Sequence, residues 1–296
     1  MELRVLNYFL TVAREENITH AAELLHITQP TLSRQLMQLE EELGVSLFIR
    51  GKRKIILTEA GMLLKRRAEE MITLAEKTEL EIGHQTEEIS GEITISCGIT
   101  NASQTLGKMI QKFQKIYPKT TFHIRNGASD FTLENIGNGL VDIGIVLEPV
   151  NLEKLNFIRL NKKERWGILM KKDSPLAQKD YVTADDLKEL PLINTSRPTT
   201  RGYFHDWYGT GYDQLHFCAS SELSTTAITL VKNDMGYAIV IEGSVNELIG
   251  PDLCFKPLYP ELYSHSLYVW KKYQSLNLTL TTFIDFLSKE VKDGHL

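Results

Sequence analysis

The chain has few of the features that would place it outside a cell, in a bilayer or among enzymes with a legible catalytic motif. Its 296 residues include three cysteines, Cys97, Cys218 and Cys254, separated by 121 and 36 positions. That spacing makes neither a disulfide framework nor a redox motif, so structural thiols in a reducing cytoplasm are expected. No apolar run approaches the ~18 residues that a membrane helix needs. The longest, such as residues 237–241, are strand-length, and no membrane association is expected. The opening Met-Glu-Leu-Arg lacks the apolar core of a secretory leader. Gly-x-Ser-x-Gly, His-Glu-x-x-His and a Walker lysine loop are all missing. Gly209-Thr210-Gly211 lacks the third glycine of a dinucleotide turn, and the eight histidines show no metal-ligand spacing with the cysteines. No catalytic residue, metal site or cofactor is therefore expected.

What is present is ordinary in bulk and uneven in detail. Hydrophobic residues make up 42% and charged residues 24%, which fits a folded globular chain of about two domains. The net charge of −5 hides a division: residues 1–67 carry ten Lys/Arg and eight Asp/Glu, so they total +2 and the remainder −7. Arg50, Lys52, Arg53 and Lys54 cluster within five positions. A cationic patch on a small N-terminal domain attached to an acidic body points to a polyanion contact at one end.

The first sixty residues carry the strongest pattern. Leu3, Leu6, Leu10 and Ala13 give an amphipathic helix over 3–13. A second helix is expected from Thr19, capped by its hydroxyl, with Ala21, Ala22, Leu24 and Leu25 inside. Thr28 reads as the cap of a third helix with Pro30 in its first turn, an inner face of Leu32, Leu36, Leu39 and Leu43, and Gly44 at its end. Its outer face shows Gln29, Thr31, Ser33, Arg34 and Gln38. Helix, short turn and helix, with polar groups opening the second, is the helix-turn-helix arrangement. Glutamine can pair with adenine and arginine with guanine in the major groove of double-stranded DNA. Residues 47–58 then read as a two-stranded wing with the cations at its tip. Base and groove contacts are expected from Gln29, Pro30, Thr31, Ser33, Arg34 and Gln38, and phosphate contacts from Arg50, Arg53 and Lys54.

The run Ala21-Ala22-Glu23-Leu24-Leu25-His26-Ile27-Thr28-Gln29-Pro30-Thr31-Leu32-Ser33-Arg34-Gln35-Leu36 is followed by residues 39–50 and by Leu57-Thr58-Glu59-Ala60-Gly61. Together they resemble the signature of LysR-type transcriptional regulators over roughly forty residues, with Thr28 where many members have serine. The resemblance implies a winged helix-turn-helix, cytoplasmic location, DNA binding as a dimer of dimers, and control by a small molecule. It also bears on residues 59–90. Ala60, Leu64, Ala68, Met71, Ala75, Thr78 and Ile82 form a narrow stripe on a helix of about 25 residues. By itself that stripe fits either packing on its own domain or a two-helix seam. Similarity to the family favours a linker helix that forms a homodimer, with a homotetramer beyond it.

From residue 91 strands and helices alternate, which predicts α/β units with parallel strands. The reading gives helices at 106–116, 133–140, 183–190, 203–208, 225–231 and 278–291, with strands between them. Two units of similar plan imply two subdomains, about 91–161 with 266–296, and about 162–265. This agrees with the family's periplasmic-binding-protein-like effector domain. The full expectation is an α/β chain: a winged helix-turn-helix (1–58), a linker helix (59–90) and a two-subdomain effector-binding domain (91–296). The family often has glycine where this chain has Asp234.

Open α/β sheets bind ligands beyond the carboxyl ends of their strands, at helix N-termini. Four such ends are rich in Ser, Thr and Asn. They give Thr100, Asn101 and Ser103; Gly127 and Ser129; Thr195, Arg197 and Arg201; and Thr225 as candidate effector-binding residues. The set suits a small anion such as a carboxylate. Two other classes stay open at this point: an enzyme tethered to DNA, and a DNA-binding protein with no ligand.

Overall fold

Apolar residues at helical spacing open the chain as α1 (Leu3–Glu15), which buries Val5, Leu6, Phe9 and Val12. The structure, a computed structural model, describes residues 1–50, 54–83, 88–273 and 276–294, and falls into two units, Met1–Gln85 and Thr86–Leu296. In the first unit α2 (Ile18–Leu24) is capped two residues earlier than expected. The Asn17 side chain accepts from the N–H groups of Thr19 and His20 at 2.9 and 3.2 Å, so Thr19 lies inside the helix. The third helix, α3 (Gln29–Leu43), has the expected ends: Thr28 accepts from the Thr31 N–H, and Gly44 closes it in the left-handed region at φ 69°. Leu32, Leu36 and Leu39 are buried, but Leu43 lies past the edge of the core and is 40% exposed.

The wing is β1 (Phe48–Arg50) paired antiparallel with β2 (Ile55–Leu57), Phe48 opposite Leu57 and Arg50 opposite Ile55. Glu40 on α3 holds its entry, accepting from the Leu47 and Phe48 amides at 2.6 and 3.2 Å. Thr58 then caps α4 (Glu59–Gly83) through the Gly61 N–H at 2.9 Å. A β-carbon on Gly61 would lie 2.2 Å from the Leu47 carbonyl oxygen, so only glycine lets α4 start against the wing. Ala68 is buried in the unit's core, with Ala60, Leu64 and Met71 packed beside it. That part of the apolar stripe serves its own unit. Among the described side chains of α4, the exposed apolar ones are instead Met62, Leu63 and Leu74.

The second unit begins with β3 (Gly91–Cys97), α5 (Asn101–Ile116), β4 (Thr120–Asn126), α6 (Ser129–Gly137) and β5 (Ile143–Leu147). It continues through β6 (Leu155–Lys171), β7 (Val182–Thr183), β8 (Leu192–Thr195), α7 (Pro198–Tyr208), β9 (Phe217–Ser221), α8 (Ser224–Lys232) and β10 (Tyr237–Ile241). It ends with β11 (Leu253–Tyr259), β12 (Tyr263–Lys271) and α9 (Leu278–Lys292). The main strand order is β4-β3-β5-β12-β6-β10-β8-β9. The strands β4, β3 and β5 are mutually parallel, as are β10, β8 and β9. β6 joins the two sets: residues 155–165 pair with β12, and residues 166–171 with β10 and β11.

Each set has its own core. Phe113 is fully buried under α5 with the Phe283 ring of α9 at 4.9 Å, so the last helix returns to the first set. Trp166, Ile168, Leu192 and Phe204 centre the other. The helix expected at 183–190 is a single 3-10 turn, Asp185–Leu187. Asp186 accepts there from both the amide and the hydroxyl of Thr183 at 2.9 and 2.8 Å. Asp234 takes the left-handed conformation at φ 61° and pairs with Lys171 Nζ at 2.5 Å, doing with an acidic side chain what glycine does elsewhere.

Candidate functional site

On α3 the apolar face is used up by the core, and the opposite face is free. Gln29, Pro30, Thr31, Arg34 and Gln38 are exposed and Ser33 is half-buried. The Thr28 and Thr31 hydroxyls lie 2.8 Å apart. Arg34 makes no ion pair among the described residues, so its guanidinium is available to an outside acceptor. On the wing, Arg50 sits in β1 with its side chain outside the described residues, and Arg53 lies outside them altogether. Lys54 is exposed and meets Glu16 at 2.7 Å, a contact that raises the affinity of its amine for a proton.

The second unit holds a cavity of about 340 Å³ at the carboxyl ends of β3, β5, β8 and β10. Thr100, Gly127, Ser129, Thr195, Arg197 and Thr225 line it, so six of the nine candidate effector residues come together. The other three do not. Asn101 turns away and donates from Nδ2 to Glu164 at 2.8 Å. Ser103 closes a capping box with Thr100, each bonding the other's backbone N–H. Arg201 is exposed on α7 and does not line the cavity. The apolar wall includes Ile145, Trp166 and Ile193.

Capping separates the helices around this cavity. Thr100 caps α5, but the N-cap positions of α6, α7 and α8 are Ala128, Arg197 and Leu223, none of which caps with its side chain. All three residues line the cavity. Among the described residues, three helix ends therefore leave first-turn N–H groups without a side-chain acceptor there, each carrying partial positive charge. Ser129 Oγ accepts the Leu147 amide at 3.1 Å, leaving its own proton free to donate. Thr200 also lines the cavity and escaped the sequence reading. Its hydroxyl is buried without a hydrogen-bond partner. Its only sequence signal was its place in the first turn of α7. Arg197 reaches Asp130 of α6 at 3.3 Å across the cavity.

Beside the cavity stands a group that the sequence reading missed, Glu164 of β6. It is 1% exposed and accepts from Asn101, from Ser266 and from the first amides of α5. Burial outweighs those bonds and pushes its carboxyl above the ordinary glutamate range. Burial also pushes up the Cys97 thiol on the cavity wall.

A polar helix with a wing in one unit, and a ligand cavity between two α/β halves in the other, define a ligand-responsive DNA-binding protein. The profile described as bacterial regulatory helix-turn-helix protein, lysR family, matches residues 3–62, and that of the LysR substrate binding domain matches residues 86–292. The chain belongs to the LysR family of transcriptional regulators. It is similar to the HTH-type transcriptional regulator BsdA of Bacillus subtilis (strain 168), at 29% identity over 245 residues, covering 81% of this chain and 83% of the relative. The Hca operon transcriptional activator HcaR of Escherichia coli (strain K12) is 29% identical over 277 residues, 92% of each chain. Among solved structures, CbnR resembles it with a TM-score of 0.76 at 21% identity, covering 99% of this chain and 100% of that one. CbnR complexed with its target DNA gives 0.73, covering 98% and 99%.

Proposed function

We propose that α3 enters the major groove with Gln29, Pro30, Thr31, Ser33, Arg34 and Gln38, while Arg50, Arg53 and Lys54 meet phosphates. A small anionic effector occupies the cavity of the second unit, held by Thr100, Ser129, Thr200, Arg197 and the open ends of α6, α7 and α8. The observation that carries this is the missing side-chain cap at all three of those ends. A helix terminus without an acceptor is satisfied by water or by a ligand, and three around one cavity favour a carboxylate or similar anion. The chain acts as a switch and not as an enzyme, in the cytoplasm. Residues 1–58, 59–90 and 91–296 serve as DNA-binding domain, linker and effector domain, the last with subdomains about 91–161 with 266–296 and about 162–265. The linker helix supports a homodimer and, through it, a homotetramer. Leu63 and Leu74, exposed and eleven positions apart on one face of α4, are placed to meet a partner helix.

The test is a thermal-shift screen of small carboxylates on the full-length protein. A stabilising anion should lose its effect in Ser129→Ala and Thr200→Val, while both variants keep the parent's affinity for duplex DNA. Parallel loss of DNA affinity would remove the assignment. Sedimentation of the parent and of Leu63→Glu checks the dimer: the variant should shift toward monomer.

A further inference from the structure

The wing carries an ion pair that the DNA contact leaves unexplained. Lys54 Nζ lies 2.7 Å from Glu16 Oε2, with the lysine side chain 72% and the glutamate 50% exposed. Glu16 is held there by its backbone. It ends α1 in the left-handed conformation at φ 51°, and its carbonyl accepts the Ile55 N–H at 3.0 Å. One residue thus holds two consecutive wing residues, one through its carbonyl and the other through its charge. The ion pair is exposed and adds little to folding. It matters to a polyanion, however. A phosphate that takes Lys54 must displace a carboxylate and leaves that carboxylate uncompensated beside the duplex.

We infer that Glu16 sets the affinity of the DNA interface: it competes with phosphate for Lys54 and weakens binding to duplex of every sequence. The inference rests on the assignment of Lys54 to the phosphate backbone. Phosphate contacts carry no base information and supply most of the binding to random sequence, which is in vast excess on a genome. Weakening them leaves more of the decision to the base-reading face of α3. Glu40 plays a different part, because it meets the wing through two main-chain amides and its loss would disturb the fold of the wing.

The experiment is a fluorescence-anisotropy titration of a labelled random-sequence duplex over a salt series, with the full-length chain and four variants. Glu16→Gln keeps the Ile55 bond and should bind about two- to five-fold tighter, with a steeper dependence on salt. Lys54→Ala should bind more weakly, with a slope shallower by about one per protomer. The double variant should bind tighter than Lys54→Ala by less than Glu16→Gln exceeds the parent, because only the direct repulsion between Glu16 and the duplex is left to remove. Glu69→Gln removes an equal charge from exposed α4 and should tighten binding less than Glu16→Gln does. Unchanged or weaker binding by Glu16→Gln overturns the inference and leaves Glu16 as a wing anchor. Equal tightening in the Lys54→Ala background, or by Glu69→Gln, overturns it in favour of bulk charge. Parent-like behaviour of Lys54→Ala removes the phosphate assignment itself.

Discussion

The helices of the proposed DNA-reading face carry side-chain caps at their starts, whereas three helices of the second unit carry none at their N-cap positions. Asn17 and Thr28 cap α2 and α3, so the helix proposed to enter the groove is complete at its start without any ligand. Ala128, Arg197 and Leu223 cap nothing at the starts of α6, α7 and α8. Under the proposed function, the difference separates two ways of meeting an anion: side chains on a finished surface in the first unit, and backbone donors at uncapped helix starts in the second.

That contrast can be broken or sharpened in descending order of effect. Phe113→Ala, which empties a fully buried site among four aromatic neighbours, should cost the second unit about 3–5 kcal/mol in chemical denaturation. Arg34→Ala should cost about 1–3 kcal/mol of affinity for a selected binding site and far less for random duplex. Competition titrations would measure both. Thr28→Ala removes a cap and should destabilise by ~1 kcal/mol. Thr200→Val should do the opposite, raising the melting point of the ligand-free protein, because it removes a buried hydroxyl with no hydrogen-bond partner among the described residues. If both lower the melting point alike, the open helix ends are not set apart as described.

The smallest expected effect is a pH dependence. The folded state holds the Glu164 proton more tightly than the unfolded chain does. Its contribution to stability is therefore fully present below the unfolded pKa and is lost as pH rises through the raised folded value. Glu164→Gln should flatten that decline in melts run from acid to neutral pH. Parallel curves for parent and variant would show that the carboxyl does not titrate as described.

The DNA-binding unit was legible because its signals are local. A threonine cap, an early proline, leucines at helical spacing and a closing glycine mark both ends of α3 within seventeen residues. The candidate cavity was legible only in part. Thr100, Ser129 and Thr225 sit at helix starts that face it, but so does Ser103, whose hydroxyl is used in the capping box. Sequence cannot say whether a serine at a helix start serves the helix or a ligand; that depends on which acceptors the fold brings near. Trp166 reaches the cavity wall from the middle of a strand, where no helix start marks it. The first half of β6, Leu155–Arg165, went unread because it is mostly polar and only Leu160 and Glu164 are buried. β11 went unread for lack of alternation, with half-buried residues over most of its length.

β6 has a mechanical consequence. It is one uninterrupted strand of 17 residues, bonded to one half of the cavity's framework over its first stretch and to the other half over its second. Relative rotation of those halves would twist one continuous peptide ribbon. Trp166 stands at the changeover, its indole N–H bonded to Ser264 Oγ at 2.9 Å and its ring on the cavity wall. The protein thus carries a fluorophore at the point where such a twist would be felt.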